Sequence, residues 1–268
     1  MEVRMFQKMW HGIDLTSLPA AFSDPNKPVS AEFYEQFYAA LEAGQGKVEE
    51  HWSEAKRNLG AVIEDGIISE WQKEHGRAPR ILALGVGTAI AERVWYERGH
   101  QVTFHECQAD SLEEVLRVCP GADHLIGSFE DLKPDGQYDL ITMLTIDYVM
   151  NRREFTEFLV RVAGWLTNEG QLIIYCASTL SVRQFVAETV KRLLGRYRKN
   201  RQVFWGYWRS PHEFFRVANA AGLRVVDVFR FGNPLKKAGW FTRKLPPLRD
   251  TNLIVTMSSL SHRFVSRN

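Results

Sequence analysis

Apolar residues along this chain fall into two rhythms, and the change between them divides the molecule near residue 79. Ahead of it the rhythm is helical. Phe33, Phe37 and Leu41 recur every four residues, with Tyr34 and Tyr38 on the adjoining stripe. Ser30 stands as an N-cap before an acidic first turn containing Glu32 and Glu35. A second helix is predicted from about Lys47 to Glu74, with Trp52, Leu59, Ile63, Ile67 and Trp71 on one face and Gly76 to Pro79 closing it. Residues 1–29 contain Gly12, Pro19, Pro25 and Pro28 and read as an irregular leader.

From Arg80 onward, short β-branched and leucine-rich runs alternate with helical stretches. Strands are predicted near 80–85, 101–106, 123–127, 138–144, 170–176, 223–231 and 251–257. Helices are predicted near 88–98, 110–117, 152–166, 180–194 and 211–221. Such alternation specifies an α/β fold with a parallel sheet covered on both faces. No helical pattern separates the last two strands, where Gly232 to Asp250 is rich in Gly, Pro and basic residues.

The chemistry concentrates between Arg80 and Glu106. The run Ile81-Leu82-Ala83-Leu84 stops at Gly85-Val86-Gly87, a helical pattern follows, and Val102-Thr103-Phe104 leads to Glu106. A glycine turn lets the backbone approach a ligand, and a helix start offers unpaired N–H groups. A carboxylate some 20 residues on, at the tip of the next strand, is placed to accept from ribose hydroxyls. Its plainer alternative is a solvated strand-end acid. This order predicts a site for an adenosine-containing cofactor.

A dinucleotide fingerprint would require a small residue at position 90, where the chain has Ile90. Leu82-Ala83-Leu84-Gly85-Val86-Gly87-Thr88-Ala89 instead resembles the first motif of class I S-adenosylmethionine (SAM)-dependent methyltransferases. It departs from that motif at Ala83, where the family usually has an acid that helps hold the methionine end, and at Ala89, where it has a third glycine. Ser128-Phe129 resembles the family's adenine-flanking pair. Tyr138-Asp139-Leu140-Ile141 is similar to its fourth strand, and Thr167-Asn168-Glu169-Gly170 to the turn before its fifth. The match runs over residues 79 to 258.

The resemblance implies a Rossmann-like, doubly wound, mostly parallel seven-stranded sheet with a C-terminal antiparallel strand. Residues 1–78 would form a leader and helical lid. Residues 79–268 would form the SAM-binding catalytic domain, with a basic and aromatic insertion at about 180–210. The ligand neighbourhood at the strand ends is then Gly85, Val86, Gly87, Glu106, Cys107, Ser128, Phe129, Leu144 and the segment Tyr175–Ser178, with Tyr34 over the pocket.

Asp147 follows the fourth strand, where the family faces the reacting methyl group. It is a candidate general base, or equally a helix cap, although Asn151 is the nearer cap. Tyr148 and Tyr175 are candidates for the same pocket, Tyr175 also fitting a core strand position. Alternation points His105 away from Glu106, toward packing helices. His212, after Ser210-Pro211, fits a helix start exposed to solvent.

Arg183, Lys191, Arg192, Arg196, Arg198, Lys199, Arg201 and Arg209 surround Phe204-Trp205-Gly206-Tyr207-Trp208. This segment reads either as a basic patch for an anionic ligand or as a solvated helix face with a hydrophobic plug.

Composition narrows the partners. The chain has 268 residues, formal net charge +2 and 45% hydrophobic residues, ordinary for a globular protein. Cys107, Cys119 and Cys176 are scattered, so neither a disulfide framework nor a zinc site is expected. No run has the length of a membrane span, and Met1 to Trp10 lacks a signal-peptide apolar region. A cytoplasmic monomer or homodimer is expected.

The expected activity is methyl transfer from SAM, without a metal, to an oxygen or nitrogen of a small molecule, anionic ones included. Metal-assisted relatives would need an Asp-Asn pair where Tyr175-Cys176-Ala177 stands. Nucleic-acid amino-methyltransferases would need an N/D-P-P-Y signature in place of Leu144–Tyr148. The alternative is a non-methylating SAM enzyme of the same fold, transferring an aminocarboxypropyl group or cyclising the cofactor with release of methylthioadenosine. The missing acid at Ala83 motivates it, because a nearby carboxylate would hold the cofactor's amine in its charged form.

Overall fold

The computed structural model describes residues 2–24, 26–177, 179–180, 182–194, 202–232 and 251–260. The N-terminal part comprises β1 (Val3–Gln7), β2 (Met9–Trp10), β3 (Ile13–Asp14), α1 (Ala31–Glu42), α2 (Glu50–Ile63) and α3 (Ser69–His75). A π-helical turn, Glu64–Ile68, joins α2 to α3, so the long helix expected from the apolar stripe is continuous. It ends at Gly76, whose φ of +68° suits a residue without Cβ.

The body then runs β4 (Arg80–Leu84), α4 (Arg93–Glu97), β5 (Gln101–Glu106), α5 (Ala109–Val118), β6 (His124–Ile126), β7 (Tyr138–Leu144), α6 (Arg152–Trp165) and β8 (Leu166–Cys176). It continues through α7 (Val182–Leu193), β9 (Val203–Trp208), α8 (Pro211–Ala220), β10 (Leu223–Gly232) and β11 (Thr251–Ser259). Local signals set several of these boundaries. Asn151 and Glu154 form a reciprocal capping box at α6. Ser210 accepts from the Glu213 N–H at α8, with Pro211 in the first turn.

Seven strands form the central sheet in the order β10-β11-β8-β7-β4-β5-β6. β11 pairs antiparallel with both β8 and β10, while β8, β7, β4, β5 and β6 run parallel. The expected antiparallel C-terminal strand is therefore present, inserted between two others. Register places Leu84 beside His105 and Met143, and Leu144 beside Tyr175, so four carboxyl ends share one rim.

Both sheet faces are covered. One carries Phe155, Phe158 and Phe214 from α6 and α8; the other carries Leu59, Ile63, Trp71, Trp95 and Val115 from the helices before and after β4. A third, smaller core joins Ile13, Leu15, Phe33 and Phe37 to Val203 and Trp205.

Two expectations need correction. The leader is not irregular throughout: β1 pairs antiparallel with β9, Val3 facing Trp208. β9 is itself the aromatic segment read as an insertion plug, and its uniformly apolar residues show no alternation because both faces are covered. The helix expected at 88–98 begins only at Arg93. Ala89 adopts φ +48°, outside the α-helical region, so the chain turns twice before it can coil.

Candidate functional site

The turn after β4 is shaped by left-handed backbone at Gly85 (φ +59°) and Gly87 (φ +56°). A Cβ on Gly85 would lie 2.8 Å from Ile146 Cδ1, and one on Gly87 would face Tyr38 Oη at 3.5 Å. Ala89 holds the third left-handed position with its methyl fully buried. For a non-glycine residue that conformation is unfavourable by about 1–2 kcal/mol.

Val86 N–H donates to the His105 carbonyl, which ties the turn to β5. Glu106, at the tip of β5, accepts from the Gly87 N–H and, at 3.1 Å, from Cys107 N–H. Its burial pushes the carboxyl pKa up, and the two N–H donors oppose that rise. The glycine turn and the strand-end acid, inferred separately from spacing, are thus in direct contact.

His105 meets loop backbone at the rim, where packing helices were expected. It is fully buried at the rim, with Nδ1 accepting from Gly85 N–H at 3.4 Å and Nε2 3.0 Å from the Gly127 carbonyl. Those partners select the Nε2–H tautomer, and burial lowers the ring's pKa.

Phe129 packs 5.1 Å from the His105 ring and 4.9 Å from Phe158, forming an apolar wall beside Gly85. Ser128 shares that loop, its hydroxyl donating to Asp131 at 2.7 Å. Cys107 is exposed and Leu144 is buried at the floor. A cleft of about 500 Å³ borders the outer flank of the turn, between Trp52, Arg57, Thr88, Ile90, Arg93 and Glu114, on the scale of a small-molecule site.

After β7, Thr145 adopts φ +68°, and its N–H reaches the Tyr175 carbonyl at 3.0 Å. Asp147 is fully buried. Arg209 Nε lies 3.7 Å from its carboxylate, and the Cys176 thiol adjoins it. Burial pushes the Asp147 pKa up to about 6, with Arg209 opposing. Arg209 also bonds Glu213 at 2.6 Å and the Asp147 carbonyl at 2.7 Å.

Tyr148 Oη lies 2.7 Å from Tyr34 Oη, and its ring stacks on Trp205 at 6.0 Å. Tyr38, one turn along α1, is the hydroxyl that faces Gly87. Burial pushes its pKa up to about 12, and Glu106 adds to the rise. Tyr175 is buried on β8, its hydroxyl accepting from Asn252 Nδ2. His212 is exposed.

Of the basic segment, Arg196, Arg198, Lys199 and Arg201 lie outside the described residues, as does Ser178. The Arg183 and Arg192 side chains also lie outside them. Lys191 pairs with Glu188 at 2.8 Å. Arg209 is no surface cation: it is 1% exposed, held inside by the acids around it. The sequence reading missed Lys56 and Glu92. Lys56 donates from α2 to Thr145 Oγ1 at 3.0 Å, and Glu92 is buried at the end of the turn. Lys56 had a signal, because it shares the helix stripe of Trp52, Leu59 and Ile63. Glu92 had none.

Among the described residues no helix is long and apolar enough to cross a membrane, and no group of three His, Cys, Asp or Glu is placed to hold a metal ion.

No family model matches the sequence, and no curated protein does. Solved structures do match. Magnesium protoporphyrin IX methyltransferase from Synechocystis PCC 6803, with S-adenosylhomocysteine bound, superposes with TM-score 0.56 at 11% identity, over 84% of this chain and 95% of that one. The 1,6-didemethyltoxoflavin-N1-methyltransferase of Burkholderia thailandensis gives 0.56 at 14% identity, over 87% and 92%. Mitomycin 7-O-methyltransferase gives 0.56 at 18%, over 89% of this chain and 59% of that one. These superpositions give the chain the class I SAM-dependent methyltransferase fold, to which its seven-stranded sheet with the antiparallel β11 conforms.

Proposed function

We propose that the chain binds SAM along the rim made by the glycine turn and Glu106, and transfers its methyl group to an oxygen or nitrogen of a small molecule. One observation carries this reading: the Glu106 carboxylate meets the Gly87 N–H, so the tips of β4 and β5 converge on one point. In this reading the ribose sits there, between the adenine and the amino-acid chain. When bound, SAM supplies an electrophilic methyl group on a sulfonium.

In this reading Gly85, Val86 and Gly87 offer backbone, and Glu106 accepts from the ribose. Cys107, Ser128, Phe129 and Leu144 enclose the base. Tyr34 and Tyr148 close the acceptor side, where their paired hydroxyls are the polar groups an acceptor would meet. Asp147, enclosed by Arg209, fixes the loop beneath Tyr148, and Tyr175 fixes the floor through Asn252. In-line displacement demands little covalent help, so orientation and exclusion of water would provide most of the rate. No metal enters the scheme.

Incubation with SAM and a panel of small hydroxyl and amine acceptors, followed by mass spectrometry, tests the reading. S-adenosylhomocysteine with a methylated acceptor is the expected outcome. Methylthioadenosine as the sole spent cofactor would transfer the site to aminocarboxypropyl or cyclising chemistry.

A further inference from the structure

α2 lies directly on the glycine turn because position 60 carries no side chain. A Cβ on Gly60 would fall 2.2 Å from the Ala91 carbonyl oxygen, and the Gly60 carbonyl accepts from Trp95 Nε1–H at 2.9 Å. Residues four apart share a helix face, so the same approach delivers Lys56 to the rim. There its ammonium donates to Thr145 Oγ1 at 3.0 Å and lies 5.3 Å from the Trp52 ring centre.

At the far end of the turn Glu92 is 4% exposed. Burial pushes its carboxyl pKa up to about 7; Lys56 is the cation that opposes this rise, and Glu106 the acid that adds to it. No hydrogen bond or ion pair joins Lys56 to Glu92 among the described residues, and Lys56 donates to Thr145 instead. Structural ion pairs inside proteins close up, since desolvated charges are compensated by contact. A lysine at the end of β7 and a buried acid at the end of the glycine turn, unpaired with each other among the described residues, fit a ligand that carries both opposite charges.

Ala83, where an acid would serve such a ligand, is buried and apolar. We propose that Lys56 and Glu92 grip the carboxylate and ammonium of the cofactor's amino-acid end, supplying from α2 and from the end of the glycine turn what position 83 lacks. The inference rests on the SAM reading above and names the residues that complete that site.

Calorimetry with three probes tests it: S-adenosylhomocysteine, methylthioadenosine, which lacks the amino-acid group, and a decarboxylated analogue, which lacks only the carboxylate. The wild-type chain is expected to favour S-adenosylhomocysteine over both others by at least about tenfold, the worth of one charged hydrogen bond. Lys56→Met should erase discrimination against the decarboxylated analogue, and Lys56→Arg should restore most of it. Glu92→Gln should weaken S-adenosylhomocysteine about tenfold and leave methylthioadenosine unchanged.

Equal wild-type affinity for all three probes overturns the inference while leaving the SAM site intact, and that comparison requires no variant. Variants that weaken S-adenosylhomocysteine and methylthioadenosine alike also overturn it, because they report damage to the fold. Wild-type protein that binds none of the probes overturns the SAM reading and this inference together.

Discussion

The hydroxyls of Tyr34 and Tyr148 lie 2.7 Å apart, joining the first helix to the loop that follows β7. The sequence separation is 114 residues, so the bond closes the N-terminal part over the strand ends rather than stabilising either element locally. Burial raises both pKa values, so neither phenol ionises near the usual tyrosine value of about 10. Tyr34→Phe and Tyr148→Phe are each expected to lower unfolding free energy by about 1 kcal/mol. The double variant should lose less than the sum, because both remove one bond. Urea titrations of the four proteins measure this. Strict additivity would show that the two hydroxyls do not interact.

Two helical glycines should respond oppositely to alanine. In α2, Gly60→Ala forces a methyl into the Ala91 carbonyl, a backbone group that cannot swing aside. A loss of about 1–3 kcal/mol is expected, as for other overpacked sites. In α6, Gly164 is exposed with open space at its Cβ, so Gly164→Ala should gain about 0.5–1 kcal/mol from helix propensity alone. Thermal denaturation of both variants is the check. Similar effects of the same sign would mean that α2 does not sit on the turn as described.

These contacts mark how far the sequence could be read. The parallel strands, the glycine turn and Glu106 were legible because each depends on local period and spacing. The β1–β9 pairing was not, since Val3 and Trp208 meet only after the whole sheet has formed. Arg209 looked like surface charge because the residues before it are basic; Glu213 lies only four residues on, but Asp147, 62 residues away, meets it only in the folded chain. Ala89 stood out only as a departure from the motif's third glycine, and the left-handed φ it adopts became visible only in three dimensions.

The Arg209 cluster gives opposite signs for its two kinds of partner. Arg209→Met would leave Asp147 and Glu213 buried without their cation, and a loss of about 3–5 kcal/mol is expected. Asp147 is different. Its folded pKa, about 6, lies above the ordinary carboxyl value, so the folded state prefers it protonated. A raised acid contributes stability that is present below its unfolded pKa of about 4 and lost as pH climbs through about 6. Asn mimics the protonated form. Asp147→Asn should therefore be no less stable than wild type at pH 7, and its stability should vary less between about pH 4 and 6. Chemical denaturation across that range decides the matter. A large loss at pH 7 would show that the Arg209 contact outweighs burial.

Glu92 extends the same logic to binding. In the unliganded chain its pKa of about 7 leaves the acid half protonated near neutrality, with Lys56 lowering it and Glu106 raising it. A ligand ammonium beside the carboxylate adds a second opposing cation and must pull that pKa down. Binding below pH 7 should then release a proton, and affinity should fall by up to about tenfold per unit as pH drops through the range just under 7. Calorimetry of S-adenosylhomocysteine in buffers of different ionisation enthalpy measures the proton release directly. Glu106 also faces the site with a raised pKa, so its own titration must be separated. Glu92→Gln does this: it removes one titrating group and keeps the other. The variant should bind more weakly at pH 8 yet lose little further affinity at pH 6. A wild-type affinity that stays flat across this interval would mean that no proton moves at Glu92, and so that its carboxylate does not meet the cofactor's charge.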